Sequence, residues 1–546
     1  MPNDMRRGVR RLTVAAIAAI AAVLAACATA HPAPNAERAS GPRFHIAYAI
    51  AMPDTIGHLY EIQIDIGGSL GDTLRLQMPV WSPGRYARMD FARNVRDESV
   101  QGANGRPVRF DRENGSLWRI YPAGATHVTM RYRVFADNLS GTFSVLDTAH
   151  ANWNGASLFM YVVGHKPDSV SLAVTPPNGW HIINGASTSP DQRQFRFANY
   201  DEMIDTPTEV AKHFDVDSFT VDNRLYRVVV HHNGSQNGYH QGFVSAVEKI
   251  VRYENTVVAP PPLTMYTFLF NVGYDGSDGM EHLYSTQIQT RAPWTDSSAV
   301  MATISDAAHE YFHTWNVKRI RPMLLGPFDY SSERYEPSLW VAEGWTQYYG
   351  EIGLLRAGIV SKDDYYQTLA HVIDANLESP GRKVVSARMA SFLAPFWDGA
   401  ATPMRVDRGS FFSYYTKGEG LALLLDLDIR ERTHNARSLD DALRALKRMT
   451  WDAPNASYYL QGRGYTEDDV VRAASEAAGA DLTPWFDRYV GGVEDPPFAA
   501  SLAEAGLRLQ SQPGPRGTEY TVVEDPNATA DQLRVRHGWL TGTVGP

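Results

Sequence analysis

At 546 residues the chain is too long for one hydrophobic core and implies two or three domains. Hydrophobic residues at 44% and charged residues at 21% are ordinary for a globular protein, and a net charge of −10 makes the chain a poor partner for nucleic acid. No long apolar run follows the N-terminal one, which argues against a transport role.

The chain opens on Arg6, Arg7, Arg10 and Arg11, followed by an apolar stretch, Leu12–Ala26, too short to span a bilayer comfortably. It ends in Leu24-Ala25-Ala26-Cys27, and Cys27 is the single cysteine of the chain. This resembles a bacterial lipoprotein signal, with residues 1–26 removed and Cys27 lipidated as the mature N-terminus. The competing reading is an ordinary signal peptide cleaved near Ala-x-Ala. Ala28 in place of Asp favours the outer membrane. The expected location is therefore periplasmic, with the membrane reached by lipid chains alone. One cysteine allows no internal disulfide, so the fold rests on its core. Residues 27–42, rich in Ala and Pro, are expected to form a flexible tether.

From Phe44 the pattern has period two. Tyr60, Ile62, Ile64 and Ile66 alternate with Glu61, Gln63 and Asp65. Leu74, Leu76 and Met78 repeat the pattern, as do Val128, Met130, Tyr132 and Val134. Alternation predicts strands with one buried face, and turn signals such as Pro-Gly and Asn-Gly separate them. Residues 43–212 are read as an antiparallel β domain. Strand-like runs continue at Tyr226–His231 and Tyr266–Val272 around a helical stretch near Gln241–Glu254. Beyond Asp296 the chain becomes mainly helical. Residues 213–495 are read as one α+β domain.

That domain carries His309-Glu310-Tyr-Phe-His313, with Glu343 thirty residues after His313 in Leu339-Trp-Val-Ala-Glu-Gly. Two histidines four apart share one helix face, so both imidazoles can reach one ion. The face of Val300, Ile304, Ala308, Tyr311 and Trp315 predicts that this helix packs on a core. Glu343 lies in a second helical stretch, started by Pro337 and Ser338 and stopped by Gly358. His309, His313 and Glu343 are thus candidate zinc ligands, one ion per chain. Three protein ligands leave a fourth position open, which a structural site would close. Glu310, beside the first ligand, is the candidate general base. A bare HExxH also fits an amphipathic helix with two surface histidines, and the surrounding periodicity is what favours the metal.

The run His309–Pro322 (His-Glu-Tyr-Phe-His-Thr-Trp-Asn-Val-Lys-Arg-Ile-Arg-Pro), followed by Trp340–Tyr349, resembles the glycyl aminopeptidase family of zinc metallopeptidases. That family belongs to the gluzincins, with a thermolysin-like catalytic domain. Trp81-Ser-Pro-Gly-Arg-Tyr86 and Asp90–Arg96 are similar to its N-terminal β domain. Gly279-Met-Glu-His282, Tyr415-Thr-Lys-Gly418 and the Leu421–Arg430 helix are similar to further catalytic parts. The resemblance covers about residues 44–508. It implies that Tyr415, in a Tyr-x-Lys-Gly motif, stabilises the oxyanion, with neighbouring Tyr414 as the alternative. It implies that Glu281, in Gly279-Met-Glu, binds the substrate's α-ammonium. The competing readings are a core aromatic for Tyr415 and a water-facing edge-strand acid for Glu281. Lys318, Arg319 and Arg321 are expected on a solvated or salt-bridged face, and His282 receives no role. Family members usually continue into a PDZ domain. Residues 496–546 are short for one, with little apparent core, and are read as a tail or an incomplete PDZ.

The expected protein is a tethered zinc aminopeptidase acting on peptides with small N-terminal residues such as Gly or Ala. Two other readings remain: a thermolysin-type zinc endopeptidase, and a non-catalytic lipoprotein binding module on a peptidase scaffold.

Overall fold

The structure, a computed structural model, describes residues 43–189, 191–233, 241–397, 412–514 and 517–545. Cys27, the apolar start and the tether lie outside the described residues. Among those described, no helix is long and apolar enough to cross a membrane.

The N-terminal part is β-rich. Alternation works as predicted in Leu59–Gly67, where Tyr60, Ile62, Ile64 and Ile66 are buried and the residues between them are half-buried. This strand sits inside a six-stranded sheet whose order is Gln194–Phe197, Val170–Thr175, His45–Asp54, Leu59–Gly67, His127–Phe135, Val95–Gly102. The expectation of a purely antiparallel domain is corrected at one place. His45–Asp54 pairs with Val170–Thr175 in parallel, Ile46 facing Val170. A tight hairpin cannot make such a pair, whereas the long chain between these strands can. Two four-stranded sheets complete the β-rich part.

A five-stranded sheet follows, in the order Asp215–Val221, Arg224–His232, Met265–Val272, Ser285–Thr290, Asp278–Glu281. Its three inner strands are parallel, and the helix Gln241–Val257 is the crossover between the first two. Asp278–Glu281 is an antiparallel edge strand. Beyond it the chain is mainly helical, so the protein is a multidomain chain with a β-rich domain followed by a helical one. Buried side chains of both form one continuous apolar core.

The C-terminal segment has more core than its composition suggests. Phe498–Glu504 is a helix, Leu507–Gly514 and Gly517–Glu524 form a hairpin, and Ala530–Thr541 is a further helix. Leu507, Val522, Val535 and Trp539 are buried in the main core. Arg356 donates from Nε and Nη2 to the Trp539 carbonyl at 3.0 and 2.6 Å, and the Trp539 indole donates to Tyr348 at 3.0 Å. The segment is thereby built into the helical domain.

Candidate metal centre and active site

The helix Ser297–Phe312 carries the first two candidate ligands, with His313 as its last capping residue. Val300, Ile304, Ala308, Tyr311 and Trp315 are all buried, as their spacing predicts. Glu343 sits at the break between the helices Leu339–Ala342 and Gly344–Arg356. His309 Nε2 and His313 Nε2 lie 3.0 Å apart, and Glu343 Oε2 is 3.5 and 3.4 Å from them. An ion bonded tetrahedrally at ~2.1 Å needs donor spacings of roughly 3.4 Å. The three donors therefore fit a zinc ion with little movement, and their N, N, O chemistry suits it.

Surrounding groups orient these donors. His313 Nδ1 donates to the Asn316 carbonyl at 2.8 Å, which aims Nε2 at the metal position. The Asn316 amide donates to the Val341 carbonyl at 2.9 Å, and Thr346 Oγ1 donates to the Asn316 carbonyl at 2.9 Å. This ties the turn after His313 to the helices around Glu343. Asn316 and Thr346 stand inside the recognised motifs, but nothing in their local pattern assigns them this role. Tyr86, the last residue of the Trp81–Tyr86 motif, is a third residue inside a motif to which the sequence assigns no role. Its hydroxyl donates to Glu343 Oε1 at 2.5 Å.

Glu310 is buried, and its Oε2 has no partner among the described residues. Burial pushes its carboxyl well above the usual range; His313 opposes this, and Glu281 and Glu343 add to it. Glu281, at the end of the edge strand, is only 5% exposed, so the water-facing reading is corrected. Donor atoms of Glu281, Glu310 and His313 lie within 4.8 Å of one another. The Tyr415 ring lies over His309, with centroids 6.2 Å apart, whereas Tyr414 is buried edge-on against Tyr86. The helix bearing Tyr415, Tyr414–Arg432, meets the Glu343 helix backbone to backbone. A Cβ on Gly344 would come within 2.3 Å of Gly418 Cα, so only glycines permit this approach.

The basic cluster is not solvated. Lys318, Arg319 and Arg321 are all buried. Lys318 pairs with Asp205 at 2.9 Å, and His282 Nδ1 contacts the same carboxylate at 3.0 Å. Folding places Lys318 against the β-rich domain, while Arg319 and Arg321 are buried against Thr314 and Tyr459 of their own domain. A second buried group, His150, Glu209 and His231, brings together atoms of metal-binding type. Its two imidazoles stack at 4.2 Å with planes 11° apart, so their lone pairs run side by side instead of converging on an ion.

Burial would pull His313 down, but Glu343, Glu281 and Glu310 outweigh it and hold its pKa up at about 9. Burial dominates at His309 and lowers it. Burial would raise Glu343, yet the two histidines hold it well below the usual carboxylate range. At pH 7 metal binding is therefore expected to displace a proton from His313. Zinc affinity is expected to rise with pH and level off above about 9. Calorimetry in buffers of different ionisation enthalpy should show at least one proton released per ion near neutrality. Uptake with no proton release would show His313 to be neutral in the metal-free protein.

Two family models match the chain. One, described as the peptidase M61 N-terminal domain, covers residues 47–212; the other, described as M61 glycyl aminopeptidase, covers residues 302–421. No curated protein matches it. The crystal structure of an aminopeptidase N family protein from Idiomarina loihiensis is similar, at 25% identity and a TM-score of 0.78, covering 86% of this chain and 79% of that one. An M1 zinc metallopeptidase from Deinococcus radiodurans aligns at 12% identity and a TM-score of 0.49 over 83% of this chain and 94% of that one, a likeness too slight to argue from. The matched N-terminal domain, the matched peptidase domain around the His309, His313 and Glu343 cluster, and the similar solved structure lead to one conclusion: this chain belongs to the M61 glycyl aminopeptidase family and is a zinc metallopeptidase.

Proposed function

We propose that the protein is an aminopeptidase, removing small residues such as Gly or Ala from the N-terminus of peptides, with a thermolysin-like catalytic domain. The observation that carries this reading is the buried Glu281 carboxylate, close to both Glu310 and His313. A buried carboxylate beside the reacting groups gains a charge-assisted hydrogen bond only from a substrate whose α-amine is free. His309, His313 and Glu343 would hold one zinc ion, which supplies Lewis-acid polarisation of the scissile carbonyl and of water. Glu310 takes the proton from the attacking water and delivers it to the leaving amine; its burial raises its basicity for that task. Tyr415 offers a neutral O–H whose hydrogen bond strengthens as the carbonyl oxygen becomes an oxyanion. A cavity beside Glu281, bounded also by Gly84, Tyr86, Lys318, Arg321 and Tyr459, has space for about one water molecule.

The test compares one peptide with its amine free and acetylated. Acetylation removes the charge and leaves Glu281 unpaired, at a cost of about 1–3 kcal/mol. The expected loss in kcat/KM is roughly tenfold to a hundredfold. Glu281→Ala should slow cleavage of the free peptide and shrink that discrimination. Equal rates on both forms, or products cut mainly at internal bonds, would instead identify an endopeptidase.

A further inference from the structure

We infer that the turn Ser82–Tyr86 of the β-rich domain is part of the metal centre, with Tyr86 as the positioning residue for Glu343. A carboxylate turns easily about its last torsion and can present either oxygen or both to an ion. Here the Tyr86 hydroxyl holds Oε1 at 2.5 Å, which leaves Oε2 facing His309 and His313. Tyr86 is fully buried, so no water competes for that hydrogen bond.

The turn is itself fixed on several sides. Arg85 forms an ion pair with Asp278, at the start of the strand that ends in Glu281. The Trp81 indole donates to the Asp329 carbonyl at 2.8 Å, and the Val80 amide donates to the Tyr330 carbonyl at 2.9 Å. Gly84 has φ +82°, and a Cβ there would lie 2.6 Å from Glu281 Oε2. The backbone of the turn therefore runs directly against one proposed functional carboxylate while its last side chain grips the other. A hydroxyl placed merely to satisfy a buried acceptor would not need this anchoring to the edge strand.

The inference rests on His309, His313 and Glu343 holding the metal, and it is independent of whether the enzyme acts on peptide ends or interiors. Tyr86→Phe keeps the ring that packs edge-on against Tyr414 and removes only the hydroxyl. Zinc affinity, measured by competition with a chromogenic chelator, is expected to fall roughly tenfold to a hundredfold. The visible spectrum of the cobalt-substituted variant should shift as the Glu343 carboxylate loses its fixed orientation. Unchanged zinc affinity and an unchanged cobalt spectrum would overturn the inference, even if the melting temperature of the metal-free protein fell. If Tyr86→Phe does not fold, Arg85→Gln loosens the turn from Asp278 and is read in the same way: weaker zinc binding supports the inference and wild-type binding overturns it. His313→Ala is the control for the underlying reading. If it retained its zinc, the metal assignment itself would fail, separately from the role of Tyr86.

Discussion

Glu310→Gln is expected to keep its zinc and lose its turnover. The substitution preserves shape and removes the basic oxygen. Glu310 is buried within 4.8 Å of His313 and Glu281 donor atoms, and its Oε2 has no protein partner among the described residues. It is not one of the three donors that converge at 3.0–3.5 Å, so metal content should not depend on it. Loss of a positioned general base costs about 10²–10⁴-fold in rate. His313→Ala should behave differently, losing metal and activity together. Metal analysis of purified variants alongside peptide hydrolysis separates the outcomes. Near-normal activity in Glu310→Gln would remove the base assignment, and loss of zinc in that variant would make Glu310 a ligand.

Trp539→Ala should destabilise the protein by about 3–5 kcal/mol, the range for truncating a large buried aromatic side chain. Trp539 has no exposed surface, and its ring lies 5.7 Å from that of Tyr365. Its indole donates to the Tyr348 hydroxyl, which in turn donates to Asp426 at 2.7 Å. The truncation therefore opens a cavity and unties a polar chain between three helices. Trp539→Phe should recover much of the packing without the indole hydrogen bond. Denaturant unfolding of the two variants measures the difference. A loss under about 1 kcal/mol for Trp539→Ala would mean that the C-terminal segment only rests on the helical domain.

The features legible in the sequence are those with a local period. Tyr60, Ile62, Ile64 and Ile66 reveal their sheet face because every second residue meets the core. His309 and His313 reveal theirs because a helix brings every fourth residue round. Features that join distant segments leave no such trace. Tyr86 and Glu343 are 257 positions apart, and nothing near either announces the hydrogen bond between them. The parallel pairing of Ile46 with Val170 is hidden in the same way. Burial of Glu281 is not legible either, because an edge strand ordinarily faces water and this one is covered by segments distant in sequence, the 81–86 turn, Gly141 and Glu310. The C-terminal segment looked poor in core because Leu507, Val522 and Trp539 are spaced far apart and fill gaps left by other helices.

The docking of Trp539 on Tyr348 also sets an order of assembly. Tyr348 lies on the helix that begins beside Glu343, and the back of that helix is closed by residues made almost two hundred positions later. A half-made chain thus holds all three metal donors without the packing that keeps them in place. Zinc loading should therefore follow completion of the Ala530–Thr541 helix, and a chain interrupted before it should capture metal poorly despite carrying every ligand.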